Sequence, residues 1–205
     1  ILNTKMESYK QEENDEGVTL TPQEEHKETL IWLHGLGDSA HGFTDVFLSH
    51  INPVKKSTKI ILLNAPSRAV TINMGMEMPC WFDYKNLNPA VDDLDDFINT
   101  QHLQESKDKV TKVMDKEISE NLNSDPSKLY IGGFSQGAAL SLYTAMSYKD
   151  KIGGIICCSG HPLHKDPEKD IDEHKREIPI FAYHGDSDPL LPHKRISEFY
   201  EKMKS

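Results

Sequence analysis

Lys128-Leu129-Tyr130-Ile131-Gly132-Gly133-Phe134-Ser135-Gln136-Gly137-Ala138-Ala139-Leu140 decides how this chain is read. A short apolar run, a turn centred on Ser135 and the start of a helix follow one another without a break. Gly133 and Gly137 stand two residues either side of the serine, the G-x-S-x-G spacing of a nucleophile elbow. Glycines there keep Cβ atoms out of a crowded strand-to-helix turn, so the hydroxyl stands above a sheet where an acyl group can reach it. Such five-residue patterns arise by chance; the strand before and the helix after set this one apart.

Working outward, the other apolar runs have strand length. Thr29-Leu30-Ile31-Trp32-Leu33-His34 and Thr58-Lys59-Ile60-Ile61-Leu62-Leu63-Asn64 lie upstream. Ile152-Gly153-Gly154-Ile155-Ile156-Cys157-Cys158 and Ile178-Pro179-Ile180-Phe181-Ala182-Tyr183-His184 lie downstream. Continuous apolar runs suit strands buried on both faces. Helical periodicity alternates with them: about 42–50, then Val110, Val113, Met114, Ile118 and Leu122, then Ala138, Leu142, Ala145 and Met146, and finally Ile196, Phe199, Tyr200 and Met203. The pattern specifies an α/β fold with a mostly parallel central sheet covered by helices on both faces. Residues 29–205 are one domain. Residues 1–28 are polar and acidic and are expected to form a mobile tail. His164 to Glu177 reads as a charged loop.

The 205 residues carry a net charge of −10, which opposes a nucleic-acid surface. No apolar run reaches the roughly 20 residues that span a bilayer. The start lacks the pattern of a secretory signal, and three cysteines suit reduced thiols in a cytoplasmic protein. The chain begins at Ile1 and stops at Ser205 within an amphipathic pattern, and so reads as a piece of a longer protein.

A serine hydroxyl needs a base to take its proton and an acid to orient that base. Asp188, just past the end of the last apolar run, is the preferred acid, with Asp186 its rival. Developing charge on the substrate oxygen needs fixed N–H donors. The amide of Gln136, next to the nucleophile, is one; the amide of Leu36 in Gly35-Leu36-Gly37 is the other, unless that loop is a plain strand-to-helix turn. Between Ser67 and about Pro89 runs a long loop with Met74, Met76, Met78 and Trp81, apolar enough to be expected out of water. Asp92, Asp93, Asp95 and Asp96 lack the spacing of a calcium loop and read as a helix N-terminal region. No metal or cofactor is called for.

Five stretches in consistent order resemble the acyl-protein thioesterases, lysophospholipase-like carboxylesterases of the α/β-hydrolase superfamily. They are His34 to Phe43, Asn64 to Gly75, Met78 to Asp83, Gly132 to Tyr143 and His184 to Pro192. The resemblance implies removal of palmitoyl and other long acyl groups from protein cysteine thioesters, with activity on lysophospholipids and small esters. It matches Ser135 to the nucleophile, Asp188 to the acid, and Leu36 and Gln136 to the oxyanion donors. Met74, Met76, Met78 and Trp81 fall where the family's acyl tunnel is flanked, although packing that loop on its own core would use the same residues. The family's catalytic histidine lies about thirty residues after the acid, which places it beyond Ser205 together with the last strand and helix. The strand ending at His184 is then expected to be an apolar sheet edge. Two alternatives stand beside the thioesterase reading: a general carboxylesterase or lysophospholipase, and a truncated acyl-binding protein without catalysis. The resemblance implies at most peripheral membrane contact and leaves oligomeric state open.

Overall fold

The computed structural model describes residues 8–49, 54–86, 94–164, 166–188, 191 and 193–204. Nine strands are found among them: β1 (Tyr9–Asn14), β2 (Gly17–Pro22), β3 (Glu28–Leu33), β4 (Thr58–Leu63), β5 (Ser67–Val70), β6 (Met76–Pro79), β7 (Leu129–Phe134), β8 (Gly154–Cys158) and β9 (Ile180–Tyr183). The helices are α1 (His41–Leu48), α2 (Leu94–Phe97), α3 (Thr100–Asn121), α4 (Gln136–Ser147), α5 (Pro167–Asp170), α6 (Glu173–Arg176) and α7 (His193–Lys204). Seven strands form one sheet in the order β1-β2-β4-β3-β7-β8-β9, parallel from β4 through β9 and antiparallel at β1 and β2.

The central strand β3 shows why the sheet is covered on both sides. Ile31 and Leu33 join one apolar cluster with Val110, Met114 and Ile118 of α3, Leu142 of α4 and Phe199 of α7. Leu30 and Trp32, pointing the other way, join a second cluster with Leu20 of β2, Leu62 of β4 and Phe47 of α1. Each fully buried side chain of this size stabilises the fold by about 1.5–3 kcal/mol. Asn99 starts α3 by accepting the His102 N–H at 3.1 Å, and the apolar stripe then holds the helix to the sheet for 22 residues.

Four expectations are corrected. Residues 9–22 are a hairpin, β1 and β2, docked antiparallel on β4, and not a mobile tail. Val18 and Leu20 are buried while β1 exposes five of its six residues; a charged outer strand discourages edge pairing with other chains and carries little apolar signal. The loop after Ala65-Pro66 contains the β5–β6 hairpin. Residues 167–176 hold two short helices, α5 and α6, tied down by buried Ile171 and Lys175, whose ammonium donates to the Asp150 carbonyl. The last two strands start two residues later than the apolar runs suggest, at Gly154 and Ile180. Asp95 and Asp96 do lie in the first turn of α2, whereas Asp92 and Asp93 fall outside the described residues. β9 pairs with β8 and closes the sheet order, with Phe181 and Tyr183 exposed.

Candidate active site

The sheet order places β4 on one side of β3 and β7 on the other, so the chain's path reverses direction between β3 and β7. In parallel sheets a crevice opens beyond the strand carboxyl ends at such a point. Two loops meet there: His34 to Asp38 after β3, and Ser135 after β7.

Ser135 has φ 51° and ψ −118°, a conformation that non-glycine residues adopt at a cost of about 1–3 kcal/mol. Its N–H donates to the Cys158 carbonyl at 2.9 Å, and its carbonyl accepts the Ala139 N–H at 3.1 Å, so the strained residue is held from both sides. The flanking glycines are required by close approach to β3. A methyl on Gly133 would lie 2.5 Å from the Leu33 carbonyl oxygen, and one on Gly137 would lie 2.5 Å from that of His34.

The loop after β3 turns tightly. Asp38 N–H donates to the Gly35 carbonyl at 3.2 Å, and Gly37, at φ +77°, occupies the position that demands a left-handed residue. A methyl placed on Gly35 would be 3.5 Å from Ser135 Cβ and 3.2 Å from the Phe134 ring, so this loop lies directly against Ser135. Among the described residues no acceptor takes the backbone N–H of Leu36 or of Gln136. Gln136 is fully buried and opens α4, at the positive end of the helix dipole. Buried backbone N–H groups without an acceptor are rare.

A third segment, residues 78–84, locks these two loops together. Trp81 is fully buried; its indole N–H donates to the His34 carbonyl at 2.9 Å and its backbone N–H donates to Gln136 Oε1 at 2.8 Å. The Gln136 amide nitrogen donates to the Phe82 carbonyl at 2.7 Å, and Ser106 of α3 donates to the Trp81 carbonyl at 2.5 Å. Trp81 is therefore core scaffold. Met78 is half-buried, with its sulfur 3.7 Å from where a methyl on Gly37 would sit. Met74 and Met76 are exposed, 95% and 60%, at the tip of the β5–β6 hairpin. The expectation that this loop hides its apolar groups from water fails for these two, because a two-stranded ribbon has no second layer to cover its tip.

Asp188 lies on the turn that follows β9. Register pairs Phe134 with Cys158 and Cys158 with Tyr183, so Ser135 and the turn that carries Asp188 leave the same end of the sheet two strands apart. The Asp188 carboxylate accepts the Leu191 N–H at 3.0 Å, and its other oxygen is 3.6 Å from His184 Nε2. Asp186 is exposed, and its carboxylate accepts a hydrogen bond at 3.0 Å from neighbouring Ser187. A cavity of about 560 Å³ opens between β9 and α7, bordered by Ala182, His184, His193 and Tyr200.

With this geometry in view, comparison with known proteins is decisive. Residues 14–205 match the Phospholipase/Carboxylesterase family. The chain belongs to that family. It is 34% identical over 184 residues to acyl-protein thioesterase 1 of Gibberella zeae, covering 88% of this chain and 77% of the relative. It is 39% identical over 175 residues to acyl-protein thioesterase 1 of Saccharomyces cerevisiae, covering 81% and 72%. Among solved structures, acyl-protein thioesterase 2 of Zea mays superposes with a TM-score of 0.70 at 25% identity, over 91% of this chain and 82% of that one. The α/β fold with a mostly parallel sheet read from the alternating runs, and the α/β-hydrolase architecture implied by the resemblance, are thus the observed ones.

Four histidines among the described residues are engaged elsewhere. Among the described residues no hydrogen bond reaches the Ser135 hydroxyl. His34 is engaged by Gly35 and Ala65, His161 by the Tyr84 hydroxyl at 2.7 Å, and His184 by the Leu191 carbonyl at 2.9 Å. His164 stacks on Tyr143, and burial pushes its imidazole down to about 4. Sequence reasoning missed the side chain of Gln136, whereas for Trp81 the alternative of packing on the core is the one observed. The amide immediately after Ser135 carries no local sign of those partners, which lie more than fifty residues away in the chain.

Proposed function

We propose that this chain is a serine hydrolase that removes palmitoyl and other long acyl groups from protein cysteine thioesters through an acyl-enzyme on Ser135. The observation that carries the reading is a strained, half-buried serine set beside two backbone N–H groups, Leu36 and Gln136, that have no acceptor among the described residues. Ser135 Oγ attacks the thioester carbonyl and gives up its proton to a base; the negative oxygen is met by the two amides. The C–S bond then breaks and the cysteine sulfur leaves with a proton. Water attacks the acyl-enzyme by the same steps in reverse roles, freeing the fatty acid and restoring Ser135. Asp188 is the acid that orients the base, and chain order in the superfamily, nucleophile then acid then base, puts the base C-terminal to Asp188. No step so written calls for a cofactor.

Met74, Met76 and Met78 line the approach of the acyl chain in this reading, with Trp81 as their support. Substrates are acylated proteins or lipid esters, and the three free thiols suit a cytoplasmic setting. Among the described residues no helix is long and apolar enough to cross a membrane. The family's description, Phospholipase/Carboxylesterase, supports a second reading, a general carboxylesterase or lysophospholipase. Turnover of a palmitoylated peptide against a short ester separates the two, and a fluorophosphonate probe reports the nucleophile. Labelling lost in Ser135→Ala supports the mechanism. Labelling that persists in Ser135→Ala refutes it, and acyl-chain binding without labelling of the wild type points to a protein that holds acyl chains without cleaving them.

A further inference from the structure

We infer that His34 is a positioning residue that sets the direction of the Leu36 N–H, and with it one side of the oxyanion pocket. The inference rests on the proposed role of that amide. His34 is 1% exposed at the carboxyl end of β3, and two hydrogen bonds settle its tautomer. Ala65 N–H donates to Nε2 at 3.0 Å, so Nε2 carries no proton; Nδ1 therefore carries it and donates to the Gly35 carbonyl at 2.7 Å.

A peptide unit is planar and trans, so the Gly35 carbonyl and the Leu36 N–H point in opposite directions. Gripping the carbonyl from the core side turns the N–H away from the imidazole. Asp38 N–H adds a second donor to the same oxygen at 3.2 Å. The ring is itself held: Trp81 packs against it at 5.3 Å between centroids and donates to the His34 carbonyl. Burial holds the imidazole below its ordinary range, which keeps the neutral form that this arrangement requires. A doubly protonated ring would set a second N–H against the Ala65 N–H.

Two substitutions divide the two bonds. His34→Asn places an amide where Nδ1 sits and keeps the donor to Gly35 while losing the acceptor for Ala65. His34→Gln places its amide near Nε2 and keeps the Ala65 bond while releasing Gly35. With a short ester as substrate, His34→Gln is expected to lower kcat by about 10²-fold, the scale of losing one oxyanion donor, with KM within about twofold. His34→Asn is expected to retain kcat within about threefold, although both variants lose one buried hydrogen bond. The Leu36 amide resonance in ¹⁵N spectra should move, and its exchange with solvent should quicken, in His34→Gln and not in His34→Asn. Equal kcat losses in the two variants, a loss confined to KM, or an unmoved Leu36 amide in His34→Gln overturns the inference. Ser135→Ala in parallel separates the readings: hydrolysis that survives it overturns the serine mechanism, whereas the Leu36 resonance tests the His34 grip without any turnover.

Discussion

Gly137→Ala is the sharpest test of how the elbow is built. Gly137 lies one residue into α4, where an alanine would ordinarily favour the helix by about 1 kcal/mol over glycine. Its Cα, however, faces the end of β3: the added methyl would be 2.5 Å from both the His34 carbonyl oxygen and the Leu33 carbonyl carbon, and nearer still to the Leu33 oxygen. That is roughly 1 Å inside ordinary contact, and the obstacles are backbone atoms of the central strand, which have no rotamer to change. Helix α4 must therefore move off β3, carrying Ser135 away from the loop at Gly35. Overpacking of this kind costs about 1–3 kcal/mol, and with the helix gain set against it the net loss is about 2 kcal/mol or less. For a chain of this size that lowers Tm by about 4–8 °C at the upper end. The catalytic effect is larger, since a displacement near 1 Å between nucleophile and oxyanion donors costs about 10²-fold in kcat. Thermal unfolding and short-ester hydrolysis measure the two quantities. Gly185→Ala, where a methyl meets nothing within 4 Å, is the control and should change neither. Gly137→Ala with wild-type Tm and wild-type kcat would refute the claim that the glycine is demanded by proximity to β3.

Three further outcomes are expected. Lys59 and Glu117 form a largely buried ion pair at 2.6 Å, with Thr29 donating to the second Glu117 oxygen; Glu117→Leu should cost about 3–5 kcal/mol in urea unfolding, and Lys59→Met in the same chain should recover much of it. His164 is neutral in the folded state because burial lowers it from 6.5 to about 4, so the unfolded chain binds the extra proton between those values. Its contribution to stability is complete above pH 6.5 and is lost as pH falls toward 4, and His164→Phe should flatten that part of the profile by up to about 1.4 kcal/mol per pH unit. Met74→Ser should leave Tm unchanged yet lower turnover of long-chain relative to short-chain esters, whereas Trp81→Ala should destabilise the fold by about 3–5 kcal/mol whatever the substrate; equal turnover ratios in wild type and Met74→Ser would remove Met74 from the acyl path.

What could be read in the sequence follows from which physical signals are local. Ser135 was legible because the strand, the two glycines and the helix that make an elbow are contiguous. The strands β3, β4 and β7 were legible because burial on both faces leaves runs with almost no polar residue. The hairpin of β1 and β2 was not: one face is solvated, β1 is charged along its length, and its partner β4 lies some forty residues away. Nothing local announces such a pairing. Met74 and Trp81 stood in one apolar loop with the same apparent claim to an acyl site, and only tertiary structure divides them into exposed tip and buried scaffold.

The proposed catalytic site is consequently less a motif than a junction of three distant segments, and Gln136 shows how it is joined. Its backbone N–H faces the position proposed for the substrate oxygen, while its side chain reaches the opposite way to Trp81 and Phe82. Trp81 passes the connection on to the His34 carbonyl, and the His34 ring grips the peptide that ends in the Leu36 N–H. The two proposed oxyanion donors are thus tied together through the protein interior by hydrogen bonds whose members are almost wholly buried. Such a link has a specific consequence. Preorganised donors stabilise a transition state only if they do not have to be reoriented when charge develops, and among the described residues neither N–H has an acceptor of its own. The restraint comes from behind, through groups that never touch substrate. Gln136→Ala would leave the elbow's main chain and Ser135 in place and remove the link between the two loops, so a loss in kcat there without a loss of Ser135 would assign that rigidity to the interior.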